Sequence, residues 1–89
     1  MSKGVVIVTG SSRGIGRACA LLAAERGYDV VVNYTANAAA AEEVVAAING
    51  LGAQAVSVKG DIAEESDILD IFAAADRLGP LVGLIANAG

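Results

Sequence analysis

The order of apolar segments along the chain constrains its fold more than any other feature of the sequence. Three continuous apolar runs each predict a strand that is buried on both faces of a sheet. They are GVVIVTG (4–10), DVVVNY (29–34) and LVGLIA (81–86). A further run, QAVSVKGD (54–61), alternates, with Val56 and Val58 on one face and polar residues on the other. This strand, the third in chain order, is therefore expected at an edge of the sheet.

Helical periodicity occupies the segments between these strands. The first predicted helix spans residues 15–27, the second ends near residues 50–52, and the third spans about residues 64–78. The residues predicted to face inward are Ile15, Ala18, Cys19 and Leu22 in the first helix, Ala41, Val44, Val45 and Ile48 in the second, and Ile68, Ile71, Phe72 and Ala75 in the third. Cys19 is thus expected to be a small core residue.

Strands and helices alternate in the order β-α-β-α-β-α-β, with short connections between them. Because crossovers between parallel strands are right-handed, this order predicts an α/β fold with a Rossmann-type, doubly wound parallel sheet. The 89 residues contain no internal linker or repeat. We therefore expect one structural unit, which corresponds to the first half of such a sheet.

Composition and charge exclude several classes of function. A net charge of −4 argues against nucleic acid or an anionic membrane as a partner. The sequence has no histidine and a single cysteine, which excludes histidine-based metal sites, histidine-dependent triads and an internal disulfide. The N-terminal segment lacks the pattern of a signal peptide, and no apolar run approaches the length of a membrane span. A cytoplasmic protein is expected.

The segment TGSSRGIG (9–16) joins the first strand to the first helix. Gly10 would permit the tight turn, Gly14 would let the backbone approach a pyrophosphate, and Gly16 would let the helix pack closely on the sheet. The alternative is that these glycines only form a short turn, but three at this spacing favour a phosphate site. The spacing is neither G-x-G-x-x-G nor that of a P-loop.

The loop resembles the T-G-x-x-x-G-x-G pattern of the short-chain dehydrogenase/reductase family. Asp61, after the third strand, matches the acidic residue of that family that contacts adenine, and NAG (87–89) matches the end of its N-N-A-G motif. Ala86 replaces the first Asn of that motif. The cofactor-binding residues that the resemblance implies are Gly10, Ser12, Arg13, Gly14, Ile15, Gly16, Tyr34, Thr35, Asp61, Ile62, Asn87, Ala88 and Gly89.

Two of these residues could have a purely structural role instead of contacting the cofactor. Asp61 lies three residues before Glu64 and could cap the third helix in a D-x-x-E variant of the capping box, a role as plausible as the contact with adenine. Asn87 could do no more than satisfy backbone groups at the end of a buried strand.

The end of the second strand bears on the choice of nicotinamide cofactor. Enzymes of this fold that prefer NAD place an acidic residue there to bind the ribose 2′-hydroxyl. Asn33, Tyr34 and Thr35 occupy this place, and the next carboxylate is Glu42. Arg13 and the Thr35 hydroxyl could bind a 2′-phosphate instead. NADP(H) is therefore the expected cofactor, with NAD possible.

Members of the family reduce carbonyls or oxidise alcohols with a tyrosine, a lysine and a serine that follow the N-A-G motif. Tyr28 and Tyr34 do not belong to a Tyr-x-x-x-Lys pattern, so no residue of this sequence is expected to be catalytic. The resemblance implies the adenosine-binding, N-terminal portion of a longer reductase, without its catalytic half. It also implies a small carbonyl or alcohol substrate and a homo-oligomer. The loop and second strand look most like those of bacterial oxoacyl-carrier-protein reductases or sugar dehydrogenases.

Other functions are compatible with the same residues. The chain could be a non-catalytic mini-domain that binds a dinucleotide, or a half-sheet that complements a partner chain. A methyltransferase is less favoured, because Arg13 and the missing acid after the second strand suit a dinucleotide phosphate better than an adenosyl ribose.

Overall fold

The structure, a computed structural model, describes residues 2–10 and 14–87. The elements in these ranges are β1 (Val5–Val8), α1 (Gly14–Glu25), β2 (Asp29–Tyr34), α2 (Ala38–Gly50), β3 (Ala55–Lys59), α3 (Glu65–Leu78) and β4 (Leu81–Ile85). This order confirms the predicted alternation of strands and helices. β2 has the predicted limits, whereas β1, β3 and β4 are shorter than predicted. A turn at Thr9 and Gly10 follows β1, and irregular backbone at Gly60 and Asp61 follows β3.

The strands form one parallel sheet in the order β3-β2-β1-β4. β3 lies at an edge, as predicted from its alternating sequence. Its alternation is also confirmed, because Val56 and Val58 pack into the core while Ser57 donates a hydrogen bond to the Glu42 carboxylate of α2 on the other face. All strands run in one direction, so their carboxyl ends meet along a single side of the sheet.

Both faces of the sheet carry helices. α1 and α2 cover one face, and α3 covers the other. The core on the first face includes Val6, Val8, Val30, Val32, Ala41, Val44 and Ile48. The core on the second face includes Val5, Ile7, Val31, Ile71 and Ala75. The inward faces predicted for α2 and α3 are confirmed, with Val45, Ile68 and Phe72 partly buried. β1 and β2 are buried on both faces, as predicted.

The predicted inward face of α1 is wrong. Ile15 is 74% exposed, Leu22 is 49% exposed, and Ala18 is also exposed. Cys19 is the exception, because it is partly buried and packs against the core, as predicted. The residues that α1 buries form a different row, Gly16, Ala20 and Ala24. These residues are small and spaced by four positions, so the helix axis comes close to β1 and β2 along them. Ile15 and Leu22 lie outside this close contact, whereas Leu21 is partly buried against the same core.

β4 is the second edge of the sheet and is exposed, unlike a strand buried on both faces. Leu81, Val82 and Leu84 are 37%, 55% and 55% exposed. The apolar composition of β4 is typical of an interior strand, but in the described part of the chain nothing pairs with its outer edge. No helix within residues 2–10 and 14–87 combines the length and hydrophobicity that crossing a membrane requires.

Candidate functional site

The first turn after β1 lies where the carboxyl end of that strand meets the start of α1. Gly10 has φ +61° and Gly14 has φ +65°, values that favour glycine over residues with a Cβ atom. A Cβ atom on Gly10 would lie 2.8 Å from the Asn87 carbonyl oxygen. Nothing described lies within 4 Å of the corresponding position on Gly14.

Gly16 holds the start of α1 against this turn. A Cβ atom on Gly16 would lie 2.3 Å from the Gly10 carbonyl oxygen and 2.7 Å from Nδ2 of Asn87. Both distances are below any that a real side chain adopts, so only glycine fits without a shift of the backbone. This confirms the close packing predicted for Gly16.

Asn87 ties the end of β4 to the turn after β1. Its backbone N–H donates to Oγ1 of Thr9 at 2.9 Å, and its Nδ2 donates to the Gly10 carbonyl at 3.3 Å. The Thr9 N–H in turn donates to the Ile85 carbonyl at 3.0 Å. The Asn87 side chain thus satisfies a backbone carbonyl just beyond the end of the buried strand β1, which agrees with the structural alternative.

Asn33, near the end of β2, holds Gly10 from the other side of β1. The sequence analysis did not predict this role. Asn33 is 2% exposed, although it ends a run of valines. Its Oδ1 accepts from the Gly10 N–H at 3.3 Å, and its Nδ2 donates to the carbonyls of Val58 and Gly60 at 3.2 and 3.1 Å. The sequence offered one signal for this role: an asparagine within a strand predicted to be buried, where a polar side chain needs hydrogen-bond partners.

Asp61 follows β3 in a turn, and its interpretation as a helix cap is wrong. Its Oδ1 accepts from the Ala63 N–H at 2.9 Å, while Glu64 is the N-cap residue of α3 and makes no side-chain cap bond. A turn closed by the Glu64 N–H and the Asp61 carbonyl at 2.9 Å separates Asp61 from the helix. Oδ2 of Asp67, in the first turn of α3, accepts from the Asp61 N–H at 2.9 Å instead.

An open cavity of about 330 Å³ lies at the carboxyl ends of β2 and β3. Its lining residues are Thr35, Lys59, Gly60, Asp61 and Asp67. Tyr34 is half-buried against the core beside it, and Thr35 and Ile62 are exposed. Lys59 is paired with Tyr34 in the sheet, so the two side chains leave the same face. It forms no ion pair with any residue that the structure describes.

The other implied site residues divide into two groups. Ile15, which was also predicted to face the core, is exposed at the first turn of α1 beside Gly14 and Gly16. Ser12, Arg13, Ala88 and Gly89 lie outside the described residues. Within the described ranges, no three acidic or cysteine side chains come together as metal ligands.

The geometry suits an elongated anionic ligand. The first N–H groups of a helix have no partner within the helix and attract phosphate. The α1 N-terminus faces the carboxyl side of the sheet, held there by Gly16, and a second recess lies beyond β2 at Thr35. A dinucleotide could span from the helix terminus to this recess, which is the crevice where open α/β sheets bind ligands.

Comparisons with known proteins agree with this arrangement. The sequence model of the short chain dehydrogenase family matches residues 4–89. The chain is 46% identical over 86 residues to an uncharacterized oxidoreductase, YgfF, of Escherichia coli, and the match covers 96% of this chain and 35% of the relative. It is 44% identical over 85 residues to L-rhamnose 1-dehydrogenase (NAD(P)(+)) of a Sphingomonas species, covering 94% of this chain and 34% of the relative.

A solved structure gives the same result. The crystal structure of a hydroxysteroid dehydrogenase from Escherichia coli superposes with a TM-score of 0.89 at 37% identity, over 99% of this chain and 37% of the other. The chain spans about a third of the length of the curated relatives it matches. On its sequence, its parallel sheet and its glycine turn, this chain belongs to the short-chain dehydrogenase family of oxidoreductases.

Proposed function

We propose that the chain binds the adenosine and pyrophosphate part of NADP(H) in an oxidoreductase that interconverts ketones and alcohols by hydride transfer. The observation that carries this proposal is the turn after β1, where Gly10, Gly16 and Asn87 hold the N-terminus of α1 against the carboxyl side of the sheet. When bound, the nicotinamide cofactor supplies the hydride. The residues described here bind and orient the opposite end of the cofactor.

The proposed cofactor residues have distinct tasks. Gly14, Ile15 and Gly16, with the preceding Ser12 and Arg13, form the cradle for the pyrophosphate. Asp61 and Ile62, after β3, contact the adenine ring. Ala88 and Gly89 let the backbone after Asn87 approach a ribose of the cofactor. The exposure of Ile15 and Ile62 supports these tasks, because apolar side chains in open positions can pack on a ligand.

The preference for NADP(H) is supported by the residues at the end of β2 itself and by two nearby cations, while Asp61 and Asp67 line the β3 and α3 sides of the same cavity. No carboxylate stands at Tyr34 or Thr35, where enzymes that prefer NAD bind the 2′-hydroxyl. Arg13 from the sequence and Lys59 beside Thr35 would supply positive charge to a 2′-phosphate. The name of the related L-rhamnose 1-dehydrogenase includes both NAD⁺ and NADP⁺ as cofactors. This agrees with a choice between NAD and NADP that depends on few residues.

Equilibrium titration of the complete protein with NADP⁺ and NAD⁺ tests this preference. We expect tighter binding of NADP⁺, and we expect the double variant Arg13→Ser, Tyr34→Asp to shift the ratio toward NAD⁺ by about ten- to hundredfold, the worth of one charge-assisted bidentate contact. Arg26→Ser is the control for the loss of the arginine, because it removes one positive charge just beyond the C-terminal end of α1. Unchanged relative affinities in the double variant would contradict the assignment.

We further propose that these residues are the N-terminal half of one dinucleotide-binding domain whose catalytic serine, tyrosine and lysine follow β4. The exposed apolar edge at Leu81, Val82 and Leu84 supports this, because interior parallel strands are covered on both sides. A cavity of about 350 Å³ beside α1, lined by Val6, Leu22, Ile85 and other residues, supports a further covering element on that face.

The intact mass of the natural protein and the sequence of its complete reading frame test this second proposal. A longer product with a Tyr-x-x-x-Lys segment after β4 is expected, together with NADP(H)-dependent reduction of a carbonyl compound. A stable product of 89 residues that binds nucleotide without redox activity would contradict the enzymatic part. A cytoplasmic location and a homo-oligomeric assembly stay predictions.

A further inference from the structure

The carboxamide of Asn33 connects two parts of the chain that are distant in sequence. On one side its Oδ1 accepts from the N–H of Gly10, the residue that opens the glycine turn. On the other side its Nδ2 donates to the carbonyls of Val58 and Gly60 at the end of β3. The registered pairs of β1 and β2 end at Val8 and Val32, so this connection lies just beyond the regular ladder.

Burial makes this connection geometrically specific. Asn33 is 2% exposed, and Gly60, one of its partners, is also buried. A buried amide that lost these partners would leave polar groups without hydrogen bonds, so its orientation is strongly determined. The Gly10 carbonyl is held from the opposite side by Nδ2 of Asn87 at 3.3 Å. The peptide groups of Gly10 are therefore fixed by two amide side chains, that of Asn33 in β2 and that of Asn87 just after β4.

The two ends of this connection lead to the two parts of the proposed ligand. Gly10 begins the turn that leads to the pyrophosphate cradle at the N-terminus of α1. Gly60 precedes Asp61, which lines the recess at the adenosine end. A shift of the glycine turn relative to the end of β3 would change the distance between the two binding regions without removing any ligand contact.

We propose that Asn33 is a positioning residue that fixes the glycine turn at a set distance from the end of β3, so that adenosine and pyrophosphate bind together. This inference rests on the proposed nucleotide site. It assigns to Asn33 a specific effect: the second phosphate of a nucleotide adds affinity only while the adenosine is seated at the matching distance. A residue that contributed to stability alone would weaken all ligands by one common factor.

The experiment compares AMP and ADP binding to the complete protein by equilibrium titration. The measured quantity is the ratio of the two dissociation constants, which reports what the second phosphate adds and does not depend on the folded fraction. Asn33→Ala removes the hydrogen bond to Gly10 and those to Val58 and Gly60. Asn33→Thr suits a strand but has a side chain too short to reach both partners. Asn49→Ala is the matched control, because Asn49 is exposed near the end of α2.

We expect the advantage of ADP over AMP to fall about tenfold in both Asn33 variants, which corresponds to about 1.4 kcal/mol. AMP affinity itself should change less than the ADP affinity, and Asn49→Ala should leave the ratio unchanged. An unchanged ratio in folded Asn33 variants would overturn the inference while leaving the nucleotide site intact. Failure of both variants to fold, even with ADP present, would assign Asn33 to stability alone and also overturn it. Failure of the unsubstituted protein to bind AMP or ADP would instead refute the proposed function.

Discussion

The contact between the start of α1 and the turn after β1 leads to a quantitative prediction for Gly16→Ala. The added Cβ atom would lie 2.3 Å from the Gly10 carbonyl oxygen and must move about 0.7 Å to reach the shortest distance that real side chains show. Its neighbours are backbone atoms and the Asn87 amide, which hydrogen bonds hold in place. Overpacking of this kind costs about 1–3 kcal/mol. Alanine recovers about 1 kcal/mol of helix propensity. We therefore expect a net loss of up to about 2 kcal/mol in the free energy of unfolding.

The displacement should also weaken ligand binding, because it moves the N-terminus of α1 away from the turn. Urea denaturation of the complete protein measures the stability, and titration with ADP measures the binding, for which we expect a loss of about tenfold. Gly50→Ala is the matched control: Gly50 is also helical, and nothing described lies within 4 Å of its added Cβ atom. That variant should be neutral or slightly stabilised. A Gly16→Ala protein with unchanged stability and unchanged ADP affinity would refute the close packing of Gly16 against Gly10 and Asn87.

Two further substitutions test the surroundings of the site. Thr9→Val keeps the shape of the side chain but removes the oxygen that accepts from the Asn87 N–H at 2.9 Å, so we expect a loss of about 1–2 kcal/mol in urea denaturation. The exposed Thr35→Val should change stability by less than about 0.5 kcal/mol, and equal effects at both positions would contradict the assigned hydrogen bond. Lys59→Met should weaken NADP⁺ binding about threefold to tenfold in titrations at low salt while leaving NAD⁺ unchanged, because a charge near a phosphate acts through a screened interaction. Arg77→Met, which removes a charge from the end of α3, should change neither affinity, and a loss of both cofactors on substitution of Lys59 would contradict its role at the 2′-phosphate.

The faces of the helices were predicted with unequal success. In α2 and α3 the buried face carries branched residues and the charged residues lie on other faces, so periodicity alone indicates the buried face. In α1 the contact with the sheet uses Gly16, Ala20 and Ala24, which carry little hydrophobic weight in a sequence pattern. Alanine occupies several faces of that helix, so the sequence does not distinguish the close contact from the surface. The larger Ile15 and Leu22 gave the misleading signal.

The polar residues near the site divide in a similar way. Thr9, Gly10 and Gly16 could be placed from the sequence, because a glycine turn between a strand and a helix is a local pattern. The partners of Asn33 could not, because they lie 23 to 27 residues away along the chain. Asp61 was ambiguous for another reason: its spacing to Glu64 fits a capping box, and its place after the third strand fits the acidic residue of the family. In the structure Asp67, which the sequence analysis did not consider, accepts from the Asp61 N–H, and Asp61 does not cap α3.

The sequence by itself determined the elements, their parallel order, the edge position of β3 and the place of the glycine turn. These properties follow from hydrophobic periodicity, from the handedness of crossovers and from local turn chemistry, all of which act over short stretches of chain. Only the tertiary structure decided which row of α1 meets the sheet and that Asn33 and Asn87 hold Gly10 from two sides. These features depend on how closely distant backbones approach, and that distance is set by packing across the sheet rather than by any local pattern.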